Sequence, residues 1–202
     1  EARELIKVLG IPFAPTWAVA DILESGIPLY IGTFGTHGTR YSNFAVQNSN
    51  LILSIGSRLD TKATGSPIST FARGAKKIVV DIDSCELNKF KKFGLDVDLL
   101  INADAKYFIR LLIEKVKNIS FPDWTEWIEQ INIWKSKYPI CPEKYYLEEK
   151  VNPYVFVKEL SKNSSDGDLI FLDTGCTLAW TMQAFDFKKN QKLYHDFNNT
   201  AM

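Results

Sequence analysis

The sequence predicts an α/β fold: a Rossmann-like, doubly wound parallel sheet, followed by the truncated first βα units of a second α/β domain. Three observations predict it. Short continuous apolar runs recur at Leu51–Ile55, Lys77–Asp83 and Val97–Ile101. Runs apolar on both faces suit strands of a parallel sheet covered by helices on each side. Helix-period segments separate them, which gives βαβ units. The same alternation restarts at Val151, after a charged stretch.

Along the chain, Glu1–Leu9 places Leu5, Ile6 and Leu9 at helical spacing. Pro12–Thr16 and Leu29–Ile31 read as short strands. A Gly-rich turn then leads into a helix over Gly38–Asn48. Helices over about Ser84–Lys92 and Asp104–Lys117 complete the βαβ pattern. From Pro122-Asp123 a helix carries Trp124, Trp127, Ile128, Ile131 and Trp134 at spacings of three and four, which build one apolar face. That face either takes a planar ligand or, the preferred reading, packs onto a neighbouring domain. Pro139 and Pro142 end the helix. The expected organisation is a domain over 1–139, a linker over 140–150 and a second domain over 151–202. In the last part, Asn152-Pro153 caps a helix to about Ser161. Ser164–Gly167 turns, Asp168–Asp173 is a strand, Leu178–Phe185 a helix and Lys192–Phe197 a strand.

Composition narrows the function classes. The 202 residues carry 24 basic and 24 acidic side chains, a net charge of +0, so nothing steers the chain toward nucleic acid or an anionic membrane. No apolar run reaches the roughly 18 residues of a membrane span. Cys85, Cys141 and Cys176 are odd in number and far apart, which argues against a disulfide framework and fits a reducing cytoplasm. With only His37 and His195, a multi-histidine metal site is not expected. The chain opens on Glu1 and closes on Met202 after a strand and a polar turn. Both ends read as cuts within a longer protein.

Four stretches can carry chemistry. In Gly32-Thr33-Phe34-Gly35-Thr36-His37-Gly38, the glycines allow positive φ and backbone amides can face a phosphate; a purely structural turn is the alternative. Gly56-Ser57-Arg58-Leu59-Asp60-Thr61-Lys62-Ala63-Thr64-Gly65 follows a strand, and Arg58 and Lys62 suit a phosphate or form a solvated basic loop. At Asp81-Ile82-Asp83 a carboxylate ends a strand, where it either meets a ribose or base edge or caps the next helix, with Glu86 completing a box-like pattern. Asp173-Thr174-Gly175-Cys176-Thr177 offers free amides at a helix start. Cys176 has no histidine base near it in sequence, so a nucleophilic role is disfavoured.

In order, these stretches resemble the acetolactate synthase branch of the thiamine-diphosphate enzymes. Gly32–Gly38 is similar to that family's G-M-L-G-M-H-G, and Gly56–Gly65 to its G-A-R-F-D-D-R-V-T-G. Phe71-Ala72 with Lys77–Asp83 and Cys85-Glu86 resembles its F-A … I-H-I-D-I-D-P-A-E. Asn102–Ala105 resembles a G-D-A, Asp173–Trp180 its T-D-V-G-Q-H-Q-M-W, and Thr200-Ala201-Met202 its G-T-M. The similarity runs in one register over nearly the whole chain. Cys176-Thr177 stands where the family has Gln-His, Lys62 replaces an Arg, Thr61 an Asp, and Thr33 and Thr36 replace methionines.

The resemblance implies a central domain that holds FAD or ADP on Phe34, Gly35, Thr36, His37, Gly56, Ser57, Arg58, Asp60, Lys62, Ala63, Asp81 and Ile82. It implies that Gly175, Cys176 and Thr177 meet the diphosphate of thiamine diphosphate, that the Thr200 carbonyl meets its aminopyrimidine, and that Met202 props its bent form. No catalytic residue is expected in these 202 residues. The family's glutamate belongs to an N-terminal domain, and its magnesium motif would follow Met202. The implied parent is a thiamine-diphosphate- and Mg2+-dependent 2-oxo acid carboligase or decarboxylase, a homodimer or homotetramer, with the cofactor as electron sink. The alternatives are a flavin-free lyase or hydrolase of the same superfamily acting on a sugar- or inositol-derived substrate, and a non-catalytic nucleotide-binding module.

Overall fold

The computed structural model describes residues 1–196. Helix α1 (Ala2–Leu9) ends at Gly10, whose φ of 64° supplies the left-handed cap. Helix α2 (Arg40–Asn48) starts where the Thr39 hydroxyl accepts the Ser42 amide. Strands β1 (Leu51–Ile55), β2 (Lys76–Asp81) and β3 (Leu99–Asn102) form one parallel sheet in that order. Between them lie the single turn α3 (Thr61–Thr64) and helix α4 (Ser84–Lys92). Helices α5 (Ala105–Val116) and α6 (Thr125–Lys137) follow.

Strand β2 is central, and its neighbours Val79 and Val80 are 1% and 0% exposed. Successive side chains point to opposite faces, so β2 is covered on both, as its apolar run predicted, while the outer strands are not: Leu51 of β1 and Leu99 and Leu100 of β3 are exposed. Leu87 and Phe90 of α4 pack with Val79, Phe71 and Leu59 in the main core cluster.

Two predicted strands shrink. Pro12–Thr16 and Leu29–Ile31 meet only at a parallel bridge between Phe13 and Tyr30. Pro15 has no amide to donate to the Ile31 carbonyl, so past Ile31 the ladder stops at the bonds from Phe13 N to Leu29 O and from Ile31 N to Phe13 O. The third run pairs two residues later than expected, from Leu99. Before it, the Asp98 carboxylate and not a strand carbonyl accepts the Lys77 amide at 2.8 Å.

The tryptophan-rich α6 starts at Thr125, three residues after Pro122, with the Asp123 carboxylate accepting the Thr125 amide and hydroxyl. Its apolar face packs on α2: Ile131, 1% exposed, clusters with Ile31 and Ala45, flanked by Trp127 and Trp134. That face is therefore spent on the helix next to it, and neither a planar ligand nor a separate domain is required to cover it.

The stretch over 140–150 contains the single turn α7 (Glu143–Tyr146). Helix α8 (Pro153–Asn163), with Asn152 capping through the Tyr154 amide, then leads to strand β4 (Leu169–Leu172), helix α9 (Cys176–Ala184) and strand β5 (Lys192–His195). β4 and β5 pair in parallel as a second, two-stranded sheet. Its core cluster draws on Val157, Leu178, Met182, Phe185 and Phe187, on Ile140 and Cys141, and on Trp17 and Ala20 from far upstream. Backbone bonds reinforce that tie: Ser25 N donates to Phe187 O at 2.9 Å, and Leu193 N to the Asp21 carboxylate at 3.1 Å.

Candidate functional site

All three strands of the first sheet run the same way, so their carboxyl ends share one edge. There Ile55 pairs with Val80 and Asp81 with Asn102. Ligands of open α/β sheets bind outside this edge. Three of the four stretches singled out by sequence meet there.

The Gly-rich turn is built around Gly35, at φ 95°. Asn43 of α2 clamps its peptide on both sides: Gly35 N donates to Asn43 Oδ1 at 2.7 Å, and Asn43 Nδ2 donates to Gly35 O at 3.0 Å. A Cβ at Gly35 would lie 2.3 Å from the Lys62 carbonyl oxygen, and that same oxygen accepts the Thr36 amide at 2.7 Å. The turn is therefore pressed against the loop after β1. Phe34 is buried in the core against Phe71. Thr36 is exposed and His37 half-buried. Burial, with Lys62 adding repulsion, holds the His37 imidazole below its ordinary 6.5, toward the neutral form.

The loop after β1 is shaped by backbone strain. Gly56, Arg58 and Leu59 all have positive φ, at 59°, 59° and 45°. For a non-glycine residue this conformation costs about 1–3 kcal/mol. Leu59 is 1% exposed in the main cluster, and burying a leucine contributes about 1.5–3 kcal/mol, which offsets the strain at one residue. The geometry drives Leu59 inward and turns Arg58 outward, leaving its side chain 68% exposed. Ser57 is tied by its hydroxyl to that of Ser54 at 2.6 Å. Asp60 caps α3, its carboxylate accepting the Lys62 and Ala63 amides at 3.0 Å, and Ala63 packs into the core. These two residues hold the loop's shape, while Arg58 faces solvent.

At the end of β2 the Asp81 carboxylate accepts the Asp83 amide at 2.9 Å, and Asn102 Nδ2 donates to the carbonyls of Asp81 and Ile82. Asp83 caps α4 through the Cys85 amide. Glu86 does not complete the box-like pattern; it turns to Arg58 and Lys89 instead. Ile82 is 70% exposed, an apolar side chain standing free at the carboxyl edge. Sequence reasoning missed the partners that fix these loops: Asn43, Asn102 and the Glu86–Lys89 pair. A side chain on a helix or strand, 8 to 31 residues away from its target, leaves no local pattern.

The fourth stretch lies elsewhere, at the start of α9 after β4. Gly175 has φ 81°, and Gly175, Cys176 and Thr177 are all exposed. The two regions touch at the far end of α9, where the buried Thr33 hydroxyl donates to Met182 O at 2.9 Å. Thr200 and Met202 lie outside the described residues. Among the described residues, no three His, Cys, Asp or Glu side chains are grouped to hold a metal ion, and no helix is long and apolar enough to cross a membrane. A shallow cavity of about 390 Å³ sits at the other end of β4, beside Asp168 and Leu169, away from both candidate regions.

A parallel sheet with helices between its strands, and with a glycine turn, an outward arginine and an exposed isoleucine at its carboxyl edge, defines a Rossmann-like α/β domain. The chain belongs to the family described as "Thiamine pyrophosphate enzyme, central domain", which it matches over residues 1–112. It is similar to proteins named acetolactate synthase. With "Acetolactate synthase 2, chloroplastic" of Nicotiana tabacum it is 28% identical over 189 residues, covering 94% of this chain and 28% of the relative. With the "Probable acetolactate synthase large subunit" of Methanococcus aeolicus it is 30% identical over 200 residues, covering 92% and 32%. With the large subunit of Corynebacterium glutamicum it is 30% identical over 194 residues, covering 94% and 30%. The chain thus spans about a third or less of these relatives' length.

Proposed function

We propose that this chain is part of a thiamine-diphosphate- and Mg2+-dependent 2-oxo acid carboligase or decarboxylase of the acetolactate synthase type. One observation carries the reading: similarity to proteins of that name runs over 92–94% of the chain. In this reading residues 1–139 form the central domain, 140–150 the connection, and 151–202 the opening of the cofactor-binding domain. Thiamine diphosphate, when bound, supplies the electron sink that lets a 2-oxo acid lose CO2. The residues present fit its diphosphate: the exposed Gly175, at positive φ, and the exposed start of α9 leave backbone amides open to an anion.

The carboxyl edge of the β1–β3 sheet fits an adenosine diphosphate group, whether of FAD or of ADP. Arg58 supplies a charge for the phosphates, and the Phe34–His37 turn and the Gly56–Ala63 loop supply close backbone. Ile82 supplies an apolar surface for a base, beside Asp81. The substrate is a small 2-oxo acid such as pyruvate, the assembly a homodimer or homotetramer, and the compartment the cytoplasm. A second reading, a flavin-free lyase or hydrolase of the same superfamily, draws support from Cys176-Thr177, which stands where the resemblance places Gln-His.

The test is CO2 release from pyruvate by the full-length protein. Release that requires added thiamine diphosphate and Mg2+ supports the first reading. An inert protein that binds thiamine diphosphate supports the second.

A further inference from the structure

The geometry points to Glu86 and Lys89 of α4 as positioning residues that set Arg58 for the diphosphate of a nucleotide ligand. This rests on the reading of the carboxyl edge as an adenosine diphosphate site. Three hydrogen bonds carry it. Arg58 Nε donates to Glu86 Oε1 at 2.9 Å. Lys89 Nζ donates to Glu86 Oε2 at 2.6 Å and to the Arg58 backbone carbonyl at 2.5 Å. One ion pair on one helix thus grips both the side chain and the main chain of a residue 28 positions upstream of Glu86 and 31 upstream of Lys89.

The grip leaves the working end of the arginine open. Glu86 occupies Nε, while the Arg58 side chain is 68% exposed. A guanidinium offers five donors in a planar fork, so the terminal nitrogens keep their geometry for a second anion. Glu86 and Lys89 are the more buried members, at 22% and 20%, so the support is more enclosed than the group it supports. Lys89, and Arg58 beyond it, hold the Glu86 carboxyl below its ordinary range, so it stays an anion at neutral pH.

Stability does not account for the arrangement. An ion pair with so exposed a member adds little to folding, and α4 is already capped by Asp83 and packed through Leu87 and Phe90. What the bonds do fix is direction. Arg58 sits in a left-handed conformation that a long side chain rarely adopts, and Lys89 holds its carbonyl in that turn. Helix α4 also starts three residues after Asp81, so one rigid element links the arginine to the strand end that carries Asp81 and Ile82.

The experiment is a double-mutant cycle on ADP affinity in the full-length protein, measured by calorimetry, with FAD as a second probe. Glu86→Gln should weaken ADP about tenfold and leave the unfolding midpoint unchanged. In the Arg58→Ala background the same change should have almost no further effect, because there is no guanidinium left to aim. Lys89→Gln, which keeps the carboxylate, should weaken ADP about threefold and serves if Glu86→Gln does not fold. Additive losses from Glu86→Gln and Arg58→Ala would overturn the positioning role, as would a fall in the unfolding midpoint that matches the lost affinity. A wild-type protein that binds neither ADP nor FAD overturns the nucleotide site itself, and the positioning role with it. That outcome is read from wild type alone and cannot be confused with additivity.

Discussion

Gly35 shows what a single residue carries in this chain. Its φ of 95° is open to glycine and strained for any L side chain, and a Cβ there would meet backbone atoms of Lys62 and Ala63 at 2.3 and 2.9 Å. Main chain cannot swing aside as a flexible side chain can. Gly35→Ala should therefore cost at least about 2 kcal/mol in chemical denaturation. Gly74→Ala makes the matching control: nothing lies within 4 Å of its Cβ and its φ is not positive, so stability should change by less than about 1 kcal/mol. A glycine in a Gly-rich turn is legible in sequence. The reason this one is needed is not, because the obstructing carbonyl comes from a loop 27 residues later and the clamp from Asn43 on α2. Arg58 divides the same way. Its charge and its place after a strand were readable, but its left-handed backbone and its tie to Glu86 belong to the folded state.

Elements with local signals were the readable ones. Asn152-Pro153 starts α8, Asp83 caps α4 and Asp104 caps α5, because a short polar side chain meets amides two or three residues on. The apolar runs became strands of one parallel sheet, buried on both faces at β2. The readings that slipped depended on partners. Pro12–Thr16 has strand-like residues but too few donors to hold a ladder, and the third strand waits for Leu99 because Asp98 takes the preceding bond. Helix α6 was legible as an amphipathic helix, while the surface it covers was not. Since Ile131 is 1% exposed between α2 and Ile31, Ile131→Ala should cost about 2–5 kcal/mol, read from urea unfolding. The exposed Ile133 on the same helix gives the comparison: its alanine variant should stay within about 0.5 kcal/mol of wild type.

At the scale of the molecule, parallel pairing decides where chemistry can gather. It sends the ends of β1, β2 and β3 to one edge, and that edge collects the Gly-rich turn, the Arg58 loop and Asp81-Ile82 from three separate parts of the sequence. The stretch from Asp173 to Thr177 lies at a second sheet, tied to the first part of the chain by Trp17, Ala20, Ser25 and Thr33. That upstream segment gave no sign in sequence that it belongs with residues beyond 150, since burial across 130 or more positions has no local periodicity. The family was legible because its motifs keep their order, whereas the ligand at each edge depends on atoms the motifs do not specify.

The most direct test of the account is the nucleotide content of the full-length protein as purified. Denatured protein would be cleared by filtration, and the released material read by its absorbance spectrum and by chromatography against FAD and ADP. The account predicts an adenosine-diphosphate-containing group in stoichiometric amount from wild type, and a loss of about tenfold in occupancy at limiting ligand from Arg58→Ala. A wild-type protein that releases none, and takes up neither FAD nor ADP when they are added, would contradict it.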